Sequence, residues 1–100
     1  MRVWVYILAS RRNGTLYVGL TTDLARRIRE HREKRLAGFT SRHHVTRLVY
    51  VEEQERLDHA LIRERRLKRW RRDWKLDLIE QQNPDWRDLS YDILGPPDSG

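Results

Sequence analysis

Two tyrosines, an arginine and a histidine lie at spacings that would bring their side chains together. Tyr6 and Tyr17 each fall in a short run of β-forming residues, and Arg27 and His31 follow in the next segment. Residues four apart share one face of a helix. A guanidinium stabilises negative charge on phosphoryl oxygens, and a phenol or an imidazole binds or transfers a proton. Gathered in one place, these groups suit a site that handles a phosphate.

Glu64 lies on an otherwise apolar stripe of a later helical segment. Ala60, Leu61 and Leu67 share this stripe at helical spacing. Because a carboxylate is costly to bury unless it is paired or binds a metal, two interpretations stay open. Glu64 pairs with Lys68 for roughly a few tenths of a kcal/mol. Alternatively, it holds a hard divalent cation, Mg²⁺ or Mn²⁺, whose other ligands are waters and a substrate phosphate.

Together the five groups predict hydrolysis of a phosphodiester. A metal would stabilise the leaving oxygen, and Arg27 would stabilise charge on the phosphoryl oxygens. Tyr6 or Tyr17 would orient or deprotonate the attacking water, and His31 would bind phosphate or move a proton. An unperturbed tyrosine is a poor base near neutral pH, so the sequence leaves the identity of the general base open.

The elements that must position these groups predict an α+β fold, a small antiparallel sheet covered by helices. Strands are predicted from alternating apolar residues at 3–8, 15–20 and 46–52, the first two joined by an Asn-Gly turn. Helices are predicted at about 23–35, 56–70 and 72–81. Gly19, near the end of the second strand, indicates a close backbone approach or a bend. Residues 1–90 are predicted to form one domain, and 91–100 a flexible tail.

Composition favours a polyanionic partner. The 100 residues carry 21 Lys and Arg against 15 Asp and Glu, a net charge of +6, and basic proteins bind nucleic acid by releasing its counterions. The absence of cysteine excludes disulfides, cysteine zinc sites and a thiol nucleophile. No stretch reaches the ~20 apolar residues of a membrane span. We therefore expect a cytoplasmic protein that does not bind membranes.

The densest basic run lies at residues 63–72, around the position of Glu64. Its cations are expected to follow a phosphate backbone without reading sequence, with solvated surface as the alternative interpretation. The residues assigned to this contact are Arg65, Lys68, Arg69 and Arg72. Tryptophans can stack on bases, but the usual burial of tryptophan predicts that Trp70 and Trp74 belong to the core.

Taken in order, these residues resemble the GIY-YIG nucleases, and among them the small stand-alone single-domain bacterial members. The resemblance covers nearly the whole chain. It is carried by Trp4-Val5-Tyr6, Tyr17-Val18-Gly19, the leucine-x-x-arginine segment 24–27, His31 one turn later, the glutamate-bearing segment 61–68 and the asparagine segment 83–89. The last of these adds Asn83 to the predicted nucleic-acid contacts. One departure is visible, because Trp4 stands where the first signature has glycine.

The resemblance implies a three-stranded antiparallel sheet flanked by helices and one divalent metal at Glu64. It also implies a metal-dependent endonuclease that hydrolyses nucleic acid. DNA is favoured over RNA as the substrate, and the DNA could be structured or single-stranded. The expected role is in DNA repair or processing. No attached DNA-binding domain is visible, so a protein partner that supplies specificity is one expectation. Two other classes stay open, a non-catalytic nucleic-acid-binding module and an interaction protein that recruits a larger machine.

Overall fold

The computed structural model describes residues 2–33 and 44–95. This part of the chain has the elements β1 (Val3–Ala9), β2 (Leu16–Thr21), α1 (Leu24–Arg32), β3 (Arg47–Gln54), α2 (Leu57–Arg69), α3 (Arg72–Gln82) and α4 (Ser90–Leu94). The predicted α+β fold, an antiparallel sheet of three strands flanked by helices, is confirmed. None of the helices in the described ranges is both long and apolar enough to cross a membrane.

Strand β1 lies at the centre of the sheet, with β2 and β3 antiparallel on either side. Its side chains alternate between two covered faces, which explains why nearly all of β1 is buried. The pairing of β1 with β3 contains an irregularity between Ile7 and Leu8. The β1–β2 turn contains Asn13 in the left-handed conformation, φ 58°, which asparagine tolerates better than most residues.

The two faces of the sheet carry separate hydrophobic clusters. On one face Val5 and Ile7 pack in a cluster with Leu67 of α2 and Ile79 of α3. On the other face Tyr6 and Leu8 pack with the α1 residues Leu24 and Ile28. Because neighbouring residues of β1 point to opposite faces, Tyr6 is directed toward α1 while the residues beside it hold α2 and α3 in place.

Helix α1 begins directly after β2, and two side chains define its start. The Asp23 carboxylate accepts a hydrogen bond from the backbone N–H of Arg26, at 3.2 Å, and so satisfies a free donor of the first turn. Thr21 Oγ1 accepts the N–H of Asp23 at 3.0 Å. The helix ends at Arg32 rather than near residue 35. Residues 34–43 lie outside the described residues.

The end of α3 and the segment after it cover the outer edge of β3. The Gln82 side chain bonds both the N–H and the C=O of Val51, at 3.0 and 2.8 Å. The N–H of Leu89 donates to the carbonyl of Leu48 at 2.8 Å. These bonds occupy backbone groups that an edge strand otherwise leaves open. Trp86 of this segment is completely buried and belongs to the cluster that contains Val5 and Ile7.

Two expectations for the helices differ from the structure. Residues 91–94 were expected in a flexible tail, but they belong to α4, and Ile93 and Leu94 pack against the cluster that contains Tyr6. Residues 96–100 lie outside the described part. The prediction that Trp74 is a core residue is wrong, because it is 49% exposed, whereas Trp70 does pack against the core. Helical periodicity places a residue on a face but does not tell whether that face has a partner.

Candidate active site

Tyr6 and Gly19 lie directly opposite each other on β1 and β2. A Cβ atom at position 19 would overlap Cζ and Oη of Tyr6. The missing side chain of Gly19 therefore leaves the space in which the Tyr6 ring lies across the neighbouring strand. This is the close approach that the sequence predicted for Gly19. Its partner is a side chain of the candidate site, which the sequence did not identify.

Tyr17 joins Tyr6 on the same face of the sheet, because it pairs with Leu8, two residues further along β1. The two tyrosine rings lie with their centroids 6.4 Å apart. His31 of α1 completes the group, with its ring centroid 5.9 Å from Tyr6 and 5.5 Å from Tyr17. The structure thus brings the three predicted aromatic site residues into one cluster.

A hydrogen bond of 3.1 Å joins Tyr6 Oη to His31 Nε2. Burial, and after it the nearby Arg27 guanidinium, lower the pKa of His31 from 6.5 to about 4, while Glu30 acts in the opposite direction. His31 is therefore a neutral imidazole near pH 7. A neutral imidazole has one nitrogen that accepts a hydrogen bond, so in the tautomer with the proton on Nδ1, Nε2 accepts this bond from the Tyr6 hydroxyl.

The hydroxyl of Tyr6 is held in its protonated form. Burial, and after it the nearby Tyr17, raise the pKa of Tyr6 from 10.0 to about 12. Arg27 lowers this pKa, and Glu64 raises it slightly. These influences place Arg27 and Glu64 in the neighbourhood of the Tyr6 hydroxyl, although the two residues come from different helices. The protein on its own does not prepare a phenolate at Tyr6.

Arg27 reaches from α1 toward solvent at the edge of the aromatic cluster. Its Nε lies 3.4 Å from Oε1 of Glu30, one turn further along the helix. Arg27 and Glu30 also line a cavity of about 240 Å³ together with Thr21, Thr22, Asp23 and Arg26. Glu30 was not predicted from the sequence, although its i, i+3 spacing from Arg27 was the available signal. Glu30 holds the guanidinium in place and would have to share it with a bound phosphate.

Glu64 lies on α2 between the buried residues Ala60 and Leu67. Its side chain is 18% exposed, and Oε2 lies 3.7 Å from Nζ of Lys68. The ion pair that was one interpretation of Glu64 is therefore present. A half-exposed lysine four residues away is a weak partner, so the carboxylate remains accessible to a stronger cation.

The predicted nucleic-acid contacts divide into exposed and structural residues. Arg65, Lys68 and Arg69 are exposed along α2. Arg72 is also exposed, but its Nη2 donates to the carbonyls of Asn13 and Gly14, at 2.7 and 2.6 Å. It therefore holds the β1–β2 turn against the start of α3.

Asn83 does not fit the predicted contact with nucleic acid. It is 5% exposed, and its amide nitrogen donates to the carbonyls of Val49 and Arg87, at 3.1 and 2.8 Å. Its amide oxygen accepts the N–H of Arg87 at 3.0 Å. With both ends of the amide bonded to backbone, Asn83 fixes the segment that covers β3. We therefore assign it a structural role.

The order of these residues along the chain also characterises a known family. Residues 2–77 match the model of the GIY-YIG catalytic domain. The chain belongs to the GIY-YIG family. Its relatives include the UPF0213 protein of Streptococcus pneumoniae serotype 4, 31% identical over 90% of this chain and 89% of the relative. Another is the UPF0213 protein of Syntrophus aciditrophicus, 36% identical over 82% of this chain and 93% of the relative.

A solved structure supports the same assignment. The UPF0213 protein of Bacillus halodurans, determined by solution NMR, matches this chain with a TM-score of 0.57 and 28% identity, over 91% of this chain and 96% of that protein. In these relatives the matched region makes up nearly the whole protein. The chain is thus similar to small proteins made up almost entirely of the matched region, as a stand-alone GIY-YIG member would be.

The contact between Tyr6 and Gly19 joins the two signature motifs of the GIY-YIG family. Tyr6 belongs to the first signature and Gly19 to the second, and the fold sets them face to face. Trp4, which replaces the first glycine, is partly buried and packs against the cluster that contains Tyr6 and Leu24. The tryptophan at position 4 therefore adds packing beside the aromatic site, and the Tyr6–His31 hydrogen bond is present with it.

Proposed function

We propose that this GIY-YIG protein is a metal-dependent endonuclease that hydrolyses phosphodiester bonds in nucleic acid, with DNA favoured over RNA. The observation that supports this best is the buried Tyr6–His31 hydrogen bond beside Tyr17, Arg27 and Glu64. The arrangement combines a group that accepts protons, a cation for the phosphate and a carboxylate for a metal. The proposed metal-dependent hydrolysis uses all three.

The residues present fit a metal held by one protein ligand. In residues 2–33 and 44–95, no group of three or more His, Cys, Asp or Glu is placed to hold an ion. A single carboxylate such as Glu64 suits Mg²⁺ or Mn²⁺, which keep several waters and take up substrate phosphate. When bound, the metal supplies Lewis-acid stabilisation of the leaving oxygen.

Arg27 binds the phosphate in this proposal. Arg27 lines the cavity of about 240 Å³ at the start of α1, with its Nε 3.4 Å from Glu30 Oε1 and its guanidinium near the Tyr6 hydroxyl. Arginine suits this task because its planar fork binds two phosphoryl oxygens at once. Moving from Glu30 to the phosphate gives Arg27 a stronger partner as negative charge develops on the phosphoryl oxygens.

Tyr6 and His31 act as a proton-accepting pair. As the attacking water forms its bond to phosphorus, its proton passes to Tyr6 Oη, and the proton of Tyr6 passes to His31 Nε2. The bond from phosphorus to the leaving oxygen then breaks, and the leaving oxygen keeps the electron pair. The pair avoids a free phenolate, which burial disfavours. The lowered pKa of His31 lets the imidazolium release its proton afterwards. The Tyr17 hydroxyl is the second group available to orient the water.

Cleavage assays test this function directly. Purified protein is incubated with labelled plasmid, single-stranded DNA and RNA, each with Mg²⁺, Mn²⁺ or EDTA. We expect cleavage that requires the metal, with DNA cut faster than RNA. Cleavage that persists in EDTA contradicts the metal dependence. Binding without cleavage on all three substrates favours the non-catalytic module.

Arg27→Ala and Arg26→Ala form a matched pair in the same assay. Both arginines line the cavity and lie near Glu30, but only Arg27 influences the pKa values of Tyr6 and His31. Loss of a group that stabilises transition-state charge costs about 100-fold in rate or more. We expect this loss for Arg27→Ala and no more than about a tenfold loss for Arg26→Ala. Equal losses would remove the assigned role of Arg27.

A further inference from the structure

Trp74 has the largest exposed fraction, 49%, among the exposed large hydrophobic residues of the described chain. Tryptophan is usually well buried. The indole is nevertheless held by its neighbours. Trp70 packs against it edge to face, with centroids 5.9 Å apart and planes at 88°, and the Arg71 guanidinium lies 5.0 Å from the ring centroid. Trp74 thus presents a fixed aromatic surface to solvent.

A basic groove lies beside this tryptophan pair. A cavity of about 390 Å³ is lined by Thr15, Leu16, Trp70, Arg72 and Lys75, so none of its lining side chains is acidic. Burial, and after it the positive charge of Arg72, lower the pKa of Lys75. The two cations are therefore close enough to repel each other. The bonds of Arg72 to the β1–β2 turn use only its Nη2. Residues 68–77 contain five cations and two carboxylates.

Lys68 lies between the groove and the candidate active site, because it contacts a residue of each. Lys75 Nζ donates to the carbonyl of Lys68 at 3.3 Å, and Lys68 Nζ lies 3.7 Å from Glu64 Oε2. At the rise of an α-helix, residues 64 and 70 are separated by about 9 Å along the axis. A strand whose phosphate lies at Glu64 would therefore reach the groove within a short distance.

We propose that the Trp74 corner, formed by Trp70, Arg71, Arg72, Trp74 and Lys75, binds an unpaired nucleotide that flanks the scissile phosphate. The base stacks on Trp74, and Arg72 and Lys75 bind the phosphate. The choice of substrate class rests on the proposed nuclease function. Stacking on an aromatic side chain tolerates any base but requires that the base is not paired. The corner therefore selects substrates with a single-stranded flank.

Fluorescence anisotropy with the full chain tests the proposal. Labelled single-stranded oligonucleotides and the matching duplex are titrated with protein in EDTA, so that nothing is cleaved. We expect Trp74→Ala to weaken single-strand binding about tenfold, given the usual contribution of one stacked base. Duplex affinity is expected to stay within about twofold. Trp74→Phe keeps an aromatic surface and is expected to bind single strands within about threefold of the wild type.

Tyr91→Ala is the matched control. Tyr91 is 40% exposed and has the Arg32 guanidinium 5.0 Å from its ring centroid, so it repeats the surroundings of Trp74 elsewhere on the protein. We expect this variant to bind like the wild type. Equal losses for Trp74→Ala and Tyr91→Ala overturn the proposal, as do equal losses on single strands and duplex or a wild-type chain that does not bind single strands.

The same titration separates this proposal from the nuclease proposal. Binding in EDTA needs neither metal nor chemistry, so Trp74-dependent binding by a protein that never cuts would refute the nuclease alone. A nuclease whose single-strand affinity is unchanged in Trp74→Ala would refute the corner alone. Circular dichroism of each variant confirms that the fold is retained.

Discussion

At the scale of single residues, the site depends on a residue without a side chain, Gly19, as much as on its reactive side chains. Gly19 leaves room for the Tyr6 ring, and that ring then reaches His31. The sequence predicted Tyr6, Tyr17, Arg27, His31 and Glu64 from their residue types and spacing, and the structure brings the first four together around one bond. Glu30 was not predicted because its i, i+3 spacing from Arg27 is a weak signal on a helix that is rich in arginine.

The protonation of His31 provides a test at this scale. Its pKa is about 4 in the folded protein and about 6.5 in an unfolded chain. The unfolded chain therefore binds more protons between these values, and stability falls as the pH falls through that window. We expect His31 to remove about 1–2 kcal/mol of unfolding free energy between pH 7 and pH 5.

Urea unfolding at the two pH values measures this effect. The control is His31→Gln, which cannot titrate in this range and is expected to lose correspondingly less stability. Comparing the two proteins cancels the contribution of the other titrating groups. An identical pH dependence for the wild type and the variant would contradict the lowered pKa.

At the scale of elements, α2 carries Glu64 and is fixed to the sheet by a polar network. Glu52 of β3 accepts hydrogen bonds from Arg63 at 2.9 Å, from Tyr50 at 2.6 Å and from Gln54 at 2.7 Å. Burial raises the pKa of Glu52, but these bonds outweigh it and lower the pKa overall. Because Arg63 precedes Glu64 in the chain, this network fixes the position of α2 along the sheet and its rotation about its own axis. It thereby fixes the position of Glu64.

Neighbouring glutamates on β3 allow a controlled test of that network. The Glu52 side chain is 16% exposed and that of Glu53 is 49% exposed, in an ion pair with Arg2. We expect Glu52→Gln to lower the unfolding free energy by about 1–3 kcal/mol, since it weakens a buried ion pair. Glu53→Gln is expected to stay within about 0.5 kcal/mol of the wild type. Equal effects in urea unfolding would show that the network does not anchor α2.

Most elements were predictable because their patterns are local. Alternating apolar residues gave the strands, and helical spacing gave α2 and α3. The errors concern packing between distant segments. The sequence does not show that one face of α3 lacks a partner, which leaves Trp74 exposed. Nor does it show that Asn83 is needed inside the segment that covers β3, or that a helix of five residues packs after it.

At the scale of the whole molecule, the chain combines a small neutral cluster with a strongly basic exterior. In the proposed function, the net charge of +6 attracts nucleic acid of any sequence, and the aromatic site and Glu64 carry out the cleavage. The relatives matched here consist almost entirely of the same domain. Under the proposed function this one domain carries out both binding and cleavage, and the Trp74 corner is where we expect selection of unpaired strands.

The central claim is that Glu64 holds the metal for hydrolysis, and single-turnover cleavage by Glu64→Ala tests it most directly. The control is Glu55→Ala, an exposed glutamate just before α2. We expect Glu64→Ala to lose metal-dependent cleavage by about 100-fold or more. Its fold and its affinity for DNA in EDTA should stay unchanged, and Glu55→Ala should cut normally. Full metal-dependent cleavage by Glu64→Ala would contradict the account.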